Sequence, residues 1–193
     1  MTKIDSNGLQ LHEESFNLNE KIQNVIKDVR NKATLGSQPV NSTSTPIDIV
    51  FEPQQDPIIV FADKVRIYEV LSNLLNNAIK FSDCRPITIT SIKSQINGTE
   101  TKNVNEEILD GEKDDENKKD QFVLISIKDE GKGIDKEILP RLFNKFVTKS
   151  DQGTGLGLYI AKNIIDAHGG EIWAQNNKDE KGATVSFSLP LYR

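Results

Sequence analysis

Three polar segments, far apart in the chain, carry residue types that could bind a charged ligand. Asn73, Asn77 and Lys80 are spaced four and three residues apart, so in a helix they share one face. An amide oxygen is a hard neutral ligand suited to Mg²⁺, and a lysine one turn further on can meet a phosphate as a point charge. Taken alone, the pattern also fits a solvated helix face, but asparagine is a poor helix former and its repeated use needs a reason.

The second segment, DEGKGI at residues 129–134, directly follows the apolar strand-like run FVLISIK. Asp129 would lie at the end of that strand, where a carboxylate can accept a hydrogen bond from an exocyclic amine such as N6 of adenine. Gly131 and Gly133 let the backbone bend and let a base approach closely, and Ile134 follows them. A simple strand-to-turn connection is the competing interpretation, because this composition is also favourable in turns.

The third segment, GTGLGL at residues 153–158, precedes a helical pattern. Its backbone amides, with the helix N-terminus behind them, suit an anionic phosphate, whereas a flexible glycine hinge is the alternative. The segment is not a Walker A loop, since no Gly-Lys-Ser/Thr follows, and it is not a Rossmann fingerprint, since it follows a lysine-bearing loop rather than a strand. In this order the three segments predict one nucleotide site with a metal ligand, an adenine contact and a phosphate cradle.

Hydrophobic periodicity predicts the elements that position these segments. Asp63 is expected to cap a central helix with an apolar stripe at helical spacing, a first helix begins near Asn17 or Asn19, and a last helix covers residues 156–167. Strand-like runs are residues 47–51, 58–61, 86–93, 122–128, 171–175 and 183–189. Strands that return in hairpins with helices between them predict an α/β fold, a two-layer sandwich with a mixed, mostly antiparallel sheet and helices on one face.

The composition is ordinary for a soluble domain, with 36% hydrophobic and 27% charged residues in 193. No apolar run is long enough to span a membrane, no secretory segment opens the sequence, and the single cysteine, Cys84, cannot form an internal disulfide. We therefore expect a cytoplasmic location and no membrane contact by this segment, although a parent protein could be membrane-anchored. The net charge of −5 argues against nucleic acid as a partner.

The negative charge is concentrated in residues 94–120. This stretch has nine acidic residues and four lysines, so its excess equals the net charge of the whole chain. It has no aromatic residue and little hydrophobic periodicity, which predicts an acidic, flexible insertion between two strands. A docking role for the insertion is the alternative to a tolerated surface loop.

The three segments together resemble the ATP-binding boxes of the GHKL superfamily, and more narrowly the catalytic and ATP-binding domain of a sensor histidine kinase, which has the Bergerat fold. Residues 73–82 are similar to the N box, 129–133 to the G1 box, 142–146 to the F box and 153–158 to the G2 box. The ending GATVSFSLP is also typical of these domains. The resemblance covers about residues 16–190, and the acidic insertion is its one large departure.

For catalysis, the resemblance implies ATP and Mg²⁺ as the bound groups, with Asn77 as metal ligand, Asn73 supporting the site and Lys80 near the phosphates. Related gyrase-type and chaperone-type ATPases carry a water-activating glutamate one turn before the metal asparagine, where this chain has Asn73. Because an amide cannot take a proton as a general base, the site resembles one that holds ATP without rapid hydrolysis. Glu69, one further turn back, is the residue that could give hydrolytic activity.

The resemblance also implies contacts to the base and to the lid. Asp129 would bind adenine with Gly131, Gly133 and Ile134 beside the base, and residues 144–152 would form an ATP lid in which Lys145 approaches phosphate. The further residues implied at the nucleotide are Phe143, Phe146, Lys149, Gly153, Thr154, Gly155, Leu156, Gly157 and Leu158.

The implied activity is transfer of the γ-phosphoryl group to a histidine on a separate dimerisation and phosphotransfer domain, with a response regulator downstream in a two-component system. Neither histidine of this chain fits the phosphoacceptor: His12 lacks the His-Glu/Asp-x-Arg/Lys-x-Pro pattern, and His168 ends a helix, where it serves the helix dipole. We expect residues 1–15 to be a residual linker from a missing phosphoacceptor hairpin and residues 16–193 to be the catalytic domain, monomeric and inactive alone.

Two other functions stay open. An anti-sigma-type serine protein kinase shares this fold and stands alone as a short protein, and acid-stable phosphate on a partner serine would favour it. A non-catalytic nucleotide-binding module could instead act by docking through the acidic insertion, and an absence of ATP binding would favour that interpretation.

Overall fold

The computed structural model describes residues 2–4, 9–36, 48–55, 57–83, 85–97, 100–103, 121–148, 153–178 and 181–191. Its helices are α1 (Leu18–Gly36), α2 (Lys64–Phe81) and α3 (Gly157–Ala167), with a 3-10 turn at Leu139–Arg141. Within these ranges, no helix combines the length and the apolar character needed to cross a bilayer.

The strands lie in two sheets. They are β1 (Thr2–Ile4), β2 (Gln10–Asn17), β3 (Ile49–Pro53), β4 (Ile59–Asp63), β5 (Ile87–Asn97), β6 (Glu100–Asn103), β7 (Gln121–Asp129), β8 (Ile172–Asn176) and β9 (Ala183–Pro190). The large sheet has the order β3-β5-β7-β9-β8 with β6 beside β5, and the small sheet has the order β1-β2-β4. Only the β3–β5 pair is parallel among the described strand pairs, so the predicted α/β sandwich with a mixed, mostly antiparallel sheet is confirmed.

The core lies between the helices and alternate residues of the large sheet. Helix α2 buries one stripe, and its buried residues are Ile67, Val70, Leu71, Leu74, Leu75 and Ala78. Strand β7 buries Val123, Ile125 and Ile127, the period of two that a sheet with one covered face requires. Each such side chain contributes roughly 1.5–3 kcal/mol by leaving water, so these two elements hold the polar segments at their ends in place.

Two segments contain strands that the sequence analysis did not assign. Residues 10–15, expected to be linker, begin strand β2, which pairs with β4 and buries Leu11 completely. Within the acidic segment, β5 continues to Asn97 and β6 pairs with it through Ser94 and Asn103. Strand β2 depends on a partner that is distant in sequence, whereas β6 pairs with the adjoining end of β5, and the local composition of neither segment predicts a strand. Residues 104–120 and Cys84 lie outside the described residues.

Helix starts follow the prediction. The Asp63 carboxylate accepts hydrogen bonds from the backbone N–H groups of Val65 and Arg66, both at 3.0 Å, and caps α2. The Asn17 side chain accepts from the N–H of Asn19 at 3.1 Å at the start of α1. Helix α2, which carries the candidate ligand residues, therefore begins at a well-defined point.

Candidate functional site

Helix α2 contacts both of the other polar segments. At its middle, Nδ2 of Asn73 donates a hydrogen bond to the carbonyl of Gly157, the first residue of α3, at 3.4 Å. At its C-terminal end, the turn that contains Gly131 packs so closely that a Cβ there would lie 1.8 Å from the carbonyl oxygen of Phe81. Only glycine fits at such a distance. The three segments thus share one region of the molecule.

Asn77 lies between these two contacts. Asn73, Asn77 and Phe81 occupy successive turns of α2, about 6 Å apart along the helix axis. The Asn77 side chain is half-buried, and no hydrogen bond to it comes from the described part of the chain. Its amide oxygen is therefore available to a ligand bound between the glycine-rich segment and the Asp129 turn.

The chemistry of this region fits a hard cation held together with phosphates. Among the described residues, no group of three or more His, Cys, Asp and Glu side chains is arranged to hold a metal ion. A Mg²⁺ ion at Asn77 would take its other ligands from phosphate oxygens and water, as this ion commonly does. Lys80, one turn beyond, is exposed, with its ammonium 5.7 Å from the ring centre of Phe81.

Asp129 ends strand β7 and is 7% exposed. Its Oδ1 accepts hydrogen bonds from the backbone N–H of Gly131 at 2.9 Å and of Ala183 at 3.4 Å. Burial raises the pKa of Asp129 above its usual value, and these two N–H groups only partly oppose that effect. Because the described residues bond to Oδ1, Oδ2 is the oxygen that they leave to accept a hydrogen bond from a ligand amine.

The turn after Asp129 is held by two asparagines that the sequence reasoning missed. The Asn176 amide accepts from the N–H of Ile134 at 2.6 Å and donates to its carbonyl at 2.7 Å. Asn177 donates to the Asp129 carbonyl at 3.0 Å. In the sequence, these two residues look like an ordinary Asn-Asn turn between two strands. That turn pattern was the one feature that could have pointed to them. They position the predicted base-binding segment without belonging to it.

The first part of the predicted lid is hydrogen-bonded to the glycine-rich segment that follows the lid in sequence. The N–H of Phe146 donates to the Gly155 carbonyl at 3.1 Å, and both residues have left-handed backbones, with φ of 64° and 67°. The ammonium of Lys145 lies 4.8 Å from the ring centre of Tyr159 on α3. Residues 149–152, which include the predicted phosphate contact Lys149, lie outside the described residues.

The remaining predicted contacts have different environments. Phe143 and Leu158 pack against the core, whereas the side chain of Phe146 is 72% exposed. Thr154 accepts a 3.4 Å hydrogen bond from the N–H of Leu156 within the glycine-rich segment. The structure thus places the glycine-rich segment beside α2, and Leu158 fastens its end to the core.

Glu69 is engaged with a neighbour on its own helix. Its carboxylate forms an ion pair with Arg66 at 2.9 Å, one turn towards the start of α2 and away from Asn77. Asn73, the position from which a base would act in a hydrolase, is a hydrogen-bond donor to Gly157. Neither residue is arranged as a general base beside Asn77.

The two histidines occupy opposite environments. His12 lies on the exposed side of β2, whereas His168 is 2% exposed at the end of α3. Nε2 of His168 accepts the backbone N–H of Asp63 at 2.9 Å, so the ring proton is on Nδ1, which donates to the Ile164 carbonyl at 2.7 Å. His168 serves the end of its helix as a neutral donor rather than as a cation.

Comparison with known proteins identifies the family. A family model described as histidine kinase-, DNA gyrase B- and HSP90-like ATPase matches residues 62–193. The sensor histidine kinase WalK of Bacillus subtilis is 35% identical over 144 residues, which cover 72% of this chain and 20% of WalK. The sensor protein FixL of Bradyrhizobium diazoefficiens is 28% identical over 174 residues, covering 89% of this chain and 29% of FixL. The chain spans less than a third of the length of either relative.

Solved structures agree with this assignment. The catalytic domain of the histidine kinase ThkA matches with a TM-score of 0.66 and 31% identity, over 93% of this chain and 96% of that one. ThkA in complex with the response regulator protein TrrA matches with a TM-score of 0.64 and 28% identity, over 95% of this chain and 43% of that one. This chain therefore belongs to the histidine kinase-, DNA gyrase B- and HSP90-like ATPase family and is a catalytic ATP-binding domain of the sensor histidine kinase type.

Proposed function

We propose that this domain binds ATP with Mg²⁺ and transfers the γ-phosphoryl group to a histidine on a separate dimerisation and phosphotransfer domain. A response regulator is the proposed downstream partner, and the complex of the similar kinase ThkA with a response regulator supports this choice. The acceptor histidine is proposed to lie elsewhere because His168 is buried and His12 lacks the acceptor pattern. The proposed location is the cytoplasm.

The position of Asn77 carries this proposal. Its amide has no hydrogen-bond partner in the described residues and lies between the Gly157 contact and the Gly131 contact of α2. Asn77 would bind Mg²⁺, which neutralises phosphate charge when bound, and Lys80 would add a second positive charge. The backbone of residues 153–158 would receive the phosphates at the start of α3.

The proposed base contact is Oδ2 of Asp129, which would accept the exocyclic amine of adenine. Gly131, Gly133 and Ile134 would lie beside the ring. The buried carboxylate favours a ligand that donates a hydrogen bond to it, since no cation among the described residues offsets its desolvation.

The residues that precede Asn77 on α2 support phosphoryl transfer to a histidine rather than hydrolysis of ATP. Phosphoryl transfer needs charge neutralisation and an in-line nucleophile more than covalent help from the protein. Water activation would need a base, and the residues one and two helical turns before Asn77 are the amide Asn73 and the carboxylate Glu69, which is paired with Arg66. The domain should therefore hold ATP with little turnover until an acceptor histidine is supplied.

Calorimetric titration tests ATP binding. Asn77→Ala should weaken Mg²⁺·ATP binding at least about 10- to 100-fold, the size already typical for loss of a residue that supports a metal ligand, and should leave metal-free ATP binding nearly unchanged. Asn76→Ala, one residue away and exposed, is the matched control and should bind as the unaltered chain does. Equal losses in both variants, or no ATP binding by the unaltered chain, would overturn the proposal.

A transfer assay tests the acceptor. Mixed with labelled ATP and a helical-hairpin domain that carries a phosphoacceptor histidine, the chain should produce acid-labile phosphate on that domain. Acid-stable phosphate on a partner serine would favour a serine kinase instead. Rapid release of inorganic phosphate without phosphohistidine would show a hydrolase.

A further inference from the structure

We propose that His168 is a positioning residue for the triphosphate end of the ATP site, a role that rests on the proposed function. His168 ties the C-terminal end of α3 to the first residues of α2. Through the rigid length of α3, this link holds Gly157, at the other end, beside Asn73. His168 itself touches neither of these residues and would not contact the nucleotide.

Both ring nitrogens of His168 take part in the link. Nδ1 donates to the Ile164 carbonyl at 2.7 Å, which fixes the ring on α3, and Nε2 accepts the Asp63 N–H at 2.9 Å, which reaches the start of α2. The ring is 2% exposed, so water cannot replace either bond. An Asp63 N–H without a partner in this setting would be an unsatisfied buried donor.

Asp63, the residue at the start of α2 to which His168 bonds, forms hydrogen bonds with several other elements. The Asp63 carboxylate accepts the N–H groups of Val65 and Arg66 and also that of His12 on β2, at 2.9–3.0 Å. His168 is thereby connected to β2, β4 and α2 at once. Sliding of α3 along α2 would therefore break the hydrogen bond to Nε2, because Asp63 is held in place and cannot follow.

The geometry explains how this junction acts at a distance. Helices α2 and α3 run antiparallel, because Asp63 pairs with His168 and Asn73 pairs with Gly157. At 1.5 Å per residue, the ten residues from Asp63 to Asn73 span about 15 Å and the eleven from Gly157 to His168 about 16 Å. The two distances match, so the hydrogen bond between His168 and Asp63 at one end of the helix pair sets the position of Gly157 relative to Asn73 at the other end.

The adenine side of the site is held by different contacts. Asp129 and Ile134 are positioned by Asn176, Asn177 and Ala183, which belong to β8, β9 and the turn between them. A loss of the His168 link should therefore weaken binding of the triphosphate and leave binding of the nucleoside unchanged. General destabilisation would weaken both, so the ratio of the two affinities separates the alternatives.

Two substitutions divide the functions of the ring. His168→Asn keeps an amide donor where Nδ1 stands but is too short to reach Asp63, whereas His168→Gln can place an acceptor oxygen where Nε2 stands. In His168→Asn, the dissociation constant of Mg²⁺·ATP should rise about tenfold, because Gly157 is no longer held in register beside Asn73 before the ligand binds. That of adenosine should stay within about twofold of the unaltered value. His168→Gln should bind both ligands nearly as the unaltered chain does.

The control is Val29→Ala, which creates a cavity beside α1, distant from the contacts between α2 and α3, and lowers the stability of the domain. It should leave the ratio of the ATP and adenosine affinities unchanged. Equal affinities in the Asn and Gln variants, or parallel loss of ATP and adenosine binding, would overturn the role of His168 and leave the proposed function intact. Failure of the unaltered chain to bind ATP would overturn both. Nitrogen NMR shifts of the unaltered chain give a test independent of any variant, since a proton on Nε2 contradicts the link.

Discussion

Asn176 holds the backbone of Ile134 with two hydrogen bonds, accepting from its N–H at 2.6 Å and donating to its carbonyl at 2.7 Å. A side-chain amide here takes the place of a neighbouring strand and satisfies both polar groups of one residue. The two residues are 42 positions apart in the chain. The turn that follows Asp129 is thereby joined to the end of β8, which makes the proposed base-binding segment rigid before a ligand arrives.

Asn176→Ala removes both of these bonds. We expect ATP and adenosine to bind up to about thirtyfold more weakly, in equal proportion, because the two lost hydrogen bonds together contribute about 2 kcal/mol and both ligands need the same base contacts. Calorimetric titration of the two ligands measures the effect. Gln175→Ala, on the same strand and exposed, is the control and should change neither affinity. A selective loss of ATP binding would contradict the assignment of Asn176 to the base side.

Asp129→Asn should weaken ATP binding about 10- to 100-fold, since a hydrogen bond to a charged group contributes roughly 1.5–3 kcal/mol and the amide can present a donor where an acceptor is needed. The same substitution should stabilise the ligand-free domain at neutral pH, because it removes a desolvated carboxylate while the Asn oxygen can still accept from Gly131. Binding and stability are thus expected to change in opposite directions.

The pH dependence of that stabilisation follows from the direction of the shift. The folded-state pKa of Asp129 is raised by burial, so this carboxyl favours folding below its unfolded pKa and loses that contribution as pH rises through the folded value. The increase in the free energy of unfolding caused by Asp129→Asn should accordingly be largest near pH 7. It should be small below about pH 3.9, the usual pKa of an aspartate in an unfolded chain. Urea unfolding followed by the fluorescence of Trp173, the single tryptophan, measures this. A gain that is independent of pH would contradict the explanation.

Gly131→Ala tests the contact between the Asp129 turn and α2. The new Cβ would lie 1.8 Å from the Phe81 carbonyl oxygen, so the turn must move away from the helix. The Arg85 guanidinium, which donates to the Glu130 carbonyl at 3.0 Å, would resist that movement. We expect the free energy of unfolding to fall by at least about 1–3 kcal/mol, as at other overpacked sites. The free energy of ATP binding should lose a larger fraction of its value than the free energy of unfolding does. Unchanged binding would show that the turn and α2 need not be in contact.

Asp63→Asn tests the junction at the start of α2. The Asn oxygen can keep the cap, but its amide nitrogen is a donor and cannot accept the His12 N–H that Oδ2 accepts at 2.9 Å. We expect a loss of about 1–2 kcal/mol of unfolding free energy at pH 7. Substitution of an exposed acid such as Glu14 by glutamine is the control and should change stability little.

This loss should also depend on pH. Burial acts to raise the pKa of Asp63, but hydrogen bonds from the N–H groups of His12, Arg66 and Val65, with a smaller electrostatic contribution from the neighbouring His168 ring, lower the pKa overall. A lowered folded-state pKa contributes stability above the unfolded value that disappears as pH falls through the folded one. The difference between Asp63→Asn and the unaltered chain should therefore be full at neutral pH and shrink in acid. A difference that grows in acid would refute this assignment.

The sequence by itself determined the parts whose geometry is local. The spacing of Asn73 and Asn77 placed them on successive turns of α2, and Asp63 was found as the cap that starts this helix. Asp129 was placed at the end of β7 because a carboxylate and two glycines follow an alternating apolar strand. Helical and strand periodicity, caps and turns involve neighbours within a few residues, so they can be read directly along the chain.

The tertiary structure decided what depends on distant partners. Residues 10–15 became part of β2 through pairing with β1 and β4, and Asn176 became a support for Ile134. Nε2 of His168 accepts a hydrogen bond from the backbone N–H of Asp63, which is 105 positions away in the sequence. This contact keeps the His168 ring neutral at the end of α3. Such hydrogen bonds arise only when packed elements bring polar groups together in a buried place, because water would otherwise satisfy each group separately.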